Sequence, residues 1–197
     1  EAVTIARVCD IAAPVLHRLR TVERLRHRVA ESETIRRLTD SVARTPSFVG
    51  ALDTICRSAQ LITGLDLVAT AATTSDYVIW KSACGASDPS FLDTRIEMPN
   101  DFLRNIMRRG QEVVMRDVRN HPVLEPRFMP VHTREGLRSS VTTPVYVNAR
   151  LRALMLFGSR RLREFSRDEV MTMHAIAGTV ATAIAASEAR MSDGGYT

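Results

Sequence analysis

Lysine is almost missing from this chain. Lys81 is the only one among 27 basic residues, so nearly all of the positive charge sits on arginine. That bias fits the codons of a GC-rich genome better than selection for phosphate contacts. The net charge of +5 is also spread along the chain rather than clustered into a basic patch, which argues against a nucleic-acid-binding role for this fragment. Cysteine is scarce too. Cys9, Cys56 and Cys84 lie far apart with no CxxC pair, which excludes a disulfide framework and a structural zinc site and leaves the cytoplasm as the default compartment. No apolar run approaches the length needed to cross a membrane, and no signal peptide opens the chain. Phosphate loops, GxSxG elbows, HExxH and DxD-type metal clusters are all absent, so no catalytic residues are assigned and the fragment reads as a non-enzyme. The first residue is Glu1 rather than Met, which reads as a fragment of a longer protein.

What the chain does have is helical periodicity at both ends. Val8, Val15, Val22 and Val29 recur every seven residues with Ile11, Leu19 and Leu25 between them, a coiled-coil stripe of the kind that favours two parallel strands. The rhythm slips across residues 31–34 and resumes at Ile35, Leu38 and Val42, while Pro14 should kink the helix. The arginines of this region, from Arg18 to Arg44, interleave with Glu23, Glu31, Glu33 and Asp40, as on the solvated flank of a coil. At the other end Val170, Met173, Ala177, Val180 and Ile184 follow three-four spacing. One small domain cannot bury both stripes. A parallel homodimer is therefore expected, with Val15, Leu19, Val22, Val29, Val170, Met173, Ala177, Val180 and Ile184 at its seam.

Between these ends, a helix from Phe48 to Ile62 carries Leu52, Ile55, Cys56 and Ala59 on one face and stops at Gly64. Cys56 in that stripe reads as a core residue. Strands are expected at 65–73 and 77–84 around a turn at Thr74-Ser75-Asp76, then at 91–98 and 111–118. A short helix at 102–109 falls between the last two. The stretch 119–135 holds three prolines and two histidines and reads as a loop with a turn or two of helix. The run Gly136–Arg160 gives two more strands, 138–147 and 151–160, joined by a turn at Asn148-Ala149-Arg150. Ser166 and Glu169 can then form a capping box, with Phe165 stapling onto Val170.

Strand, short turn, strand, "F-S-x-x-E", then a helix of small residues resembles the closing signature of the GAF family, sensory domains related to PAS. The resemblance covers roughly residues 45–190. It implies an α+β fold, with a six-stranded, mostly antiparallel sheet sandwiched by helices and a long coiled-coil-like helix in front. The terminal helices would cover one face and the 99–136 segment the other. The domain plan is a signalling helix at 1–45, the GAF domain at 46–190, and the start of a linker to an output domain at 191–197. Such a domain would bind a small molecule and relay the signal through dimeric helices in a bacterial histidine kinase, cyclic-dinucleotide enzyme or transcription regulator.

In strand 138–147, Val141, Val145 and Val147 point one way and Ser140, Thr142 and Tyr146 the other. Hydroxyls on that second face need something to bond them. GAF domains hold their ligand there, so the resemblance implies a pocket lined by Trp80, Met129, His132, Thr142 and Tyr146. Asp117 would close its strand structurally. The N-K-F-D-E signature of cyclic-nucleotide-binding members is missing, and Cys84, followed by Gly85, lacks the Cys-His context of bilin-binding ones. A related methionine-sulfoxide reductase would need reactive cysteines at a spacing that Cys56 and Cys84 do not offer. Two readings stay open beside the sensor: a structural dimerisation module with an empty pocket, and a heme-based gas sensor using His132 or His121.

Overall fold

A computed structural model describes residues 32–33, 35–42, 45, 47–74, 76–97, 110–120 and 130–193. The chain divides into two units, 1–37 and 38–197. In the first, Glu33 accepts hydrogen bonds from Arg36 and Arg37 one helical turn on, and these guanidinium contacts hold its carboxyl at about 2. The expected seam residues Val15, Leu19, Val22 and Val29 lie outside the described residues, as do the helix at 102–109, Met129 and His121.

The second unit opens with helical residues at 38–42, in which Leu38 and Val42 are buried. Helix α1 (Phe48–Thr63) follows, and Ser47 caps it by accepting from the Gly50 amide. Its buried face is Ala51, Leu52, Ile55, Cys56 and Ala59, and Gly64 ends it at φ 63° with its amide on the Gln60 carbonyl. The strands are β1 (Leu67–Thr73), β2 (Tyr77–Cys84), β3 (Arg95–Glu97), β4 (Val113–Met115), β5 (Ser139–Val147) and β6 (Arg150–Ser159). The short helix α2 (Pro130–Arg134) precedes β5, and the long helix α3 (Arg167–Asp193) follows β6. The six strands form one sheet in the order β3-β2-β1-β6-β5-β4. Every pairing in it is antiparallel.

Register assigns the faces. Val68, Thr70 and Ala72 of β1 pair with Phe157, Met155 and Ala153, which in turn pair with Val141, Thr143 and Val145. This is the helix face, covered by α1 and α3. The alternate residues Leu67, Ala69, Ala71, Leu154 and Leu156 cluster instead with Val78, Trp80, Phe91, Val131 and Leu137. Two of the expected strands are much shorter than their apolar patterns implied. In place of 91–98 only Arg95–Glu97 pairs among the described residues, because Asp88 caps a 3-10 turn at Pro89–Phe91. In place of 111–118 only Val113–Met115 pairs, and Asp117 then accepts from the Arg119 amide and the Asn120 side chain to close the following turn.

The last helix brings two corrections. Met173, Ala177, Val180 and Ile184, expected at a dimer seam, are buried within this single chain, where α3 packs on α1 and the sheet. The exposed stripe of α3 is Met171, His174, Ala175, Gly178, Thr182, Ala185 and Ala189. The segment Arg167–Arg190 is also long and apolar enough to cross a membrane by length and composition, contrary to the sequence expectation. Alanine, valine, isoleucine and methionine carry its hydropathy, and one side of it is spent on the domain core.

Candidate functional site

The face of the sheet away from α1 and α3 gathers the residues singled out for a ligand. On β2, strict alternation would put Trp80 and Ser82 on the same side. The β1–β2 register slips between Thr70 and Ala71, leaving Lys81 unpaired, so Trp80 stands opposite Ala71 while Ser82 stands opposite Thr70. Trp80 thereby joins the site face, and Ser82 donates to Asp53 of α1 on the other. Such a bulge re-aims a side chain at a cost in ladder hydrogen bonds. The turn after Phe91 braces it: Asp93, at φ 58°, donates its amide to the Trp80 carbonyl and takes Lys81 Nζ at 2.7 Å on its carboxylate. Trp80 and Phe91 meet edge to face, 6.2 Å between centroids.

On β5, Ser140, Thr142, Pro144 and Tyr146 register with Gly158, Leu156, Leu154 and Leu151 of β6, which places the polar row of the sequence reading on the site face. Ser140 is fully buried, and its Oγ lies 3.1 Å from His132 Nε2. His132 is buried as well, and desolvation pulls its imidazole down to about 3, so it is neutral at physiological pH. Burial likewise raises the Tyr146 phenol above its ordinary value. Thr142 is buried, at 5% exposure. The structure thus brings Trp80, His132, Thr142 and Tyr146 to one face. Its small residues Ala69 and Ala71 lie between β2 and β6.

A second feature escaped the sequence reading. Glu135, at the end of α2, has a side chain with no exposure, and its carboxylate accepts from the Ser87 amide and hydroxyl, the Asp88 amide and Arg160 Nη2. Burial works to raise this carboxyl, but the bonds from Ser87, Asp88 and Arg160 outweigh it and leave it lowered. Arg160 also donates to the carbonyls of Glu135 and Gly85. Gly85 is required here: at φ 81°, a Cβ would stand 2.1 Å from the Asp66 carbonyl oxygen. Beside the lock, Leu137 fills the space over Gly158, where a Cβ would meet it at 2.6 Å.

Both described cysteines lie on the helix side of the sheet, away from the site. Cys56 is fully buried against Thr70 Oγ1, and desolvation pushes its thiol up to about 11. Cys84 registers with Val68 and donates to Gln60 Oε1. His174 of α3 meets Glu112 just before β4.

The GAF domain model matches residues 47–184, more than two-thirds of the chain. This chain belongs to the GAF family. Solved GAF structures share its fold. One is the GAF domain of a phosphoenolpyruvate-protein phosphotransferase from Coxiella burnetii, at 14% identity and a TM-score of 0.69, covering 82% of this chain and 96% of that one. Another is the phycoerythrobilin-bound GAF domain of a cyanobacterial phytochrome, at 19% identity and a TM-score of 0.66, covering 82% and 97%. The fold is also similar to that of a free methionine-R-sulfoxide reductase from Neisseria meningitidis in complex with its substrate, at 18% identity and a TM-score of 0.65, covering 81% and 91%. No curated protein matches the sequence. GAF domains are a family of ligand-binding sensory domains. The bilin-bound and reductase relatives show how widely the occupants of one fold differ, so the occupant has to be argued from this chain's own residues.

Proposed function

We propose that this GAF domain is a non-enzymatic sensory module of a bacterial, cytoplasmic signalling protein, with a histidine kinase, a cyclic-dinucleotide enzyme or a transcription regulator as output. A small molecule sits on the site face against Trp80, His132, Thr142 and Tyr146, with Met129 added from outside the described residues. The observation that supports this reading is the convergence of Trp80, His132, Thr142 and Tyr146 on one face of the sheet, with Thr142 only 5% exposed. Buried hydroxyls are normally bonded, and in this reading a ligand bonds that of Thr142. Neither described cysteine can hold a bilin or serve a sulfoxide reductase on this face, because both thiols lie on the opposite, helix side of the sheet. His132 does not fit a heme as it stands, since its Nε2 is taken by Ser140.

Signalling requires the ligand to bind one helix arrangement better than another. In this reading residues 1–45 are a signalling helix, the GAF domain spans 46–190, and 191–197 lead to the output. The parent works as a homodimer joined by the stripe of Val15, Leu19, Val22 and Val29 and by the exposed stripe of α3. Neither nucleic acid nor membrane is a partner of the fragment. Substituting Val15, Val22 and Val29 by Glu should give monomers by sedimentation; an unchanged mass rules the seam out.

Trp80 is the only tryptophan of the chain and stands on the site face, so its emission reports occupancy. A library of metabolites and nucleotides should yield a compound that shifts Trp80 emission and raises the melting temperature. At a hundred times its dissociation constant, a ligand adds about 2.7 kcal/mol. Thr142→Val should weaken that compound about five- to tenfold, the worth of one hydrogen bond. A library without effect favours the structural-module reading, which has its own support in Phe91, Val131 and Leu137 packing onto the same face.

A further inference from the structure

The helix face holds a cavity of about 290 Å³, wedged between α1, α3 and the hairpin ends of β1 and β6. That volume lies at the small end of the roughly 300–1,000 Å³ range of ligand pockets. Its cause is legible in the register. Ala72 and Ala153 are direct cross-strand partners on this face. Their neighbours along the same two strands are the larger Thr70 and Met155, also directly paired. Two methyl groups side by side cannot fill the gap that the helices leave above them.

Phe48 and Leu52 of α1 form one wall, and Val180 and Ile184 of α3 form the other. Thr70 and Thr73 also line the cavity, but their hydroxyls are already engaged, by Cys56 Sγ and the Leu151 carbonyl. The exposed Thr74 and Arg152 complete the lining. Arg152 is the only charged residue there. One of its nitrogens pairs with Glu188 of α3, and its other N–H groups have no partner among the described residues. An apolar hole with a single guanidinium at its edge is complementary to a molecule with an aliphatic body and one anionic end.

We propose that this cavity is a second small-molecule site, on the opposite side of the sheet from Trp80 and independent of the reading given to that face. It takes a medium-chain aliphatic carboxylate, with the chain over Ala72 and Ala153 between Leu52 and Ile184 and the carboxylate on Arg152. An occupant here bears directly on the packing of α3 against α1.

Calorimetry of the whole 197-residue chain with sodium octanoate tests the proposal. Octanoate should bind saturably, one per chain, without changing Trp80 emission. Arg152→Gln, a substitution at an exposed position, should weaken it about fivefold, the worth of one exposed ion pair. Octanol should bind wild type more weakly than octanoate by a similar factor. Ala153→Leu fills the floor and should reduce binding more than tenfold; Ala72→Val is the gentler second variant should the first fail to fold. No binding of octanoate at millimolar concentration overturns the proposal. So does wild-type affinity in a folded Ala153→Leu or Ala72→Val protein, or in Arg152→Gln. Octanoate that quenches Trp80 and is lost with Thr142→Val is bound on the other face, which also overturns it.

Discussion

Glu135 Oε2 lies 2.7 Å from Arg160 Nη2, although one residue ends the short helix on the site face and the other follows the last strand. The same carboxylate holds the amides of Ser87 and Asp88. Three segments therefore converge on one buried charge: the stretch carrying His132, the loop after β2, and the start of the connection to α3. A buried carboxylate is tolerated only when its bonds offset the lost hydration, and here both oxygens are engaged.

Glu135→Ala strands two backbone amides and one guanidinium, and should cost about 2–3 kcal/mol in urea denaturation. Glu135→Gln, which keeps an acceptor, should cost less. The pH dependence follows from the lowered carboxyl. Its contribution is fully present above the ordinary value of 4.5 and is lost as pH falls from there through the folded-state value. The stability gap between wild type and Glu135→Gln should thus be constant at neutral pH and close below about 4.5; a gap that persists there refutes the ion-pair account.

His132 works in a different window. Its folded-state value of about 3 lies below the ordinary 6.5, so between those values the unfolded chain binds a proton that the native one refuses. Stability must then fall as pH drops from 6.5 toward 3, by several kcal/mol at most. His132→Gln removes this slope. Chemical denaturation at pH 7 and pH 5, above the window of Glu135, should show wild type losing stability and the variant holding it.

Where the sequence was informative, the signals were local. The capping box forms as read, with Ser166 donating its amide to Glu169 Oε2 at 2.8 Å and the Glu169 amide returning to Ser166 Oγ at 3.2 Å. Alternation on β5 sorted Ser140 and Thr142 from Val141 and Val145 because the pleat has period two. The Glu135 lock left no such mark, since its partners stand 25 to 48 residues away. The slip at Lys81 was invisible for a related reason: a bulge is set by the partner strand. Met173, Ala177, Val180 and Ile184 were assigned to a dimer seam because a three-four apolar stripe looks the same whether it meets a second helix or its own sheet.

Thr143 lies on the helix face of β5 opposite Met155, fully buried, and its hydroxyl has no hydrogen-bond partner among the described residues. Desolvating that group without compensation costs stability. Thr143→Val keeps the shape and removes the hydroxyl, so it should stabilise the domain by about 1 kcal/mol. A lower urea midpoint for the variant would mean that the hydroxyl is bonded after all.

The hairpin between β5 and β6 closes in two residues, since Val147 pairs directly with Arg150, one residue earlier than the strand boundary read from the sequence. Both loop residues are left-handed, Asn148 at φ 50° and Ala149 at φ 58°. Two-residue hairpins demand this because a loop of that hand matches the twist of the flanking strands. Asparagine tolerates the conformation, whereas the alanine Cβ crowds the following carbonyl at a cost of roughly 1–2 kcal/mol. Ala149→Gly relieves the crowding and also loosens the unfolded chain, which returns part of the gain. The net should be a stabilisation of about 0.5–1 kcal/mol, seen as a higher melting temperature with an unchanged denaturant slope. Ala149→Val, with a branched carbon at the same φ, should shift the melting temperature the other way. If both substitutions move it in one direction, the left-handed geometry at Ala149 is not what limits the turn.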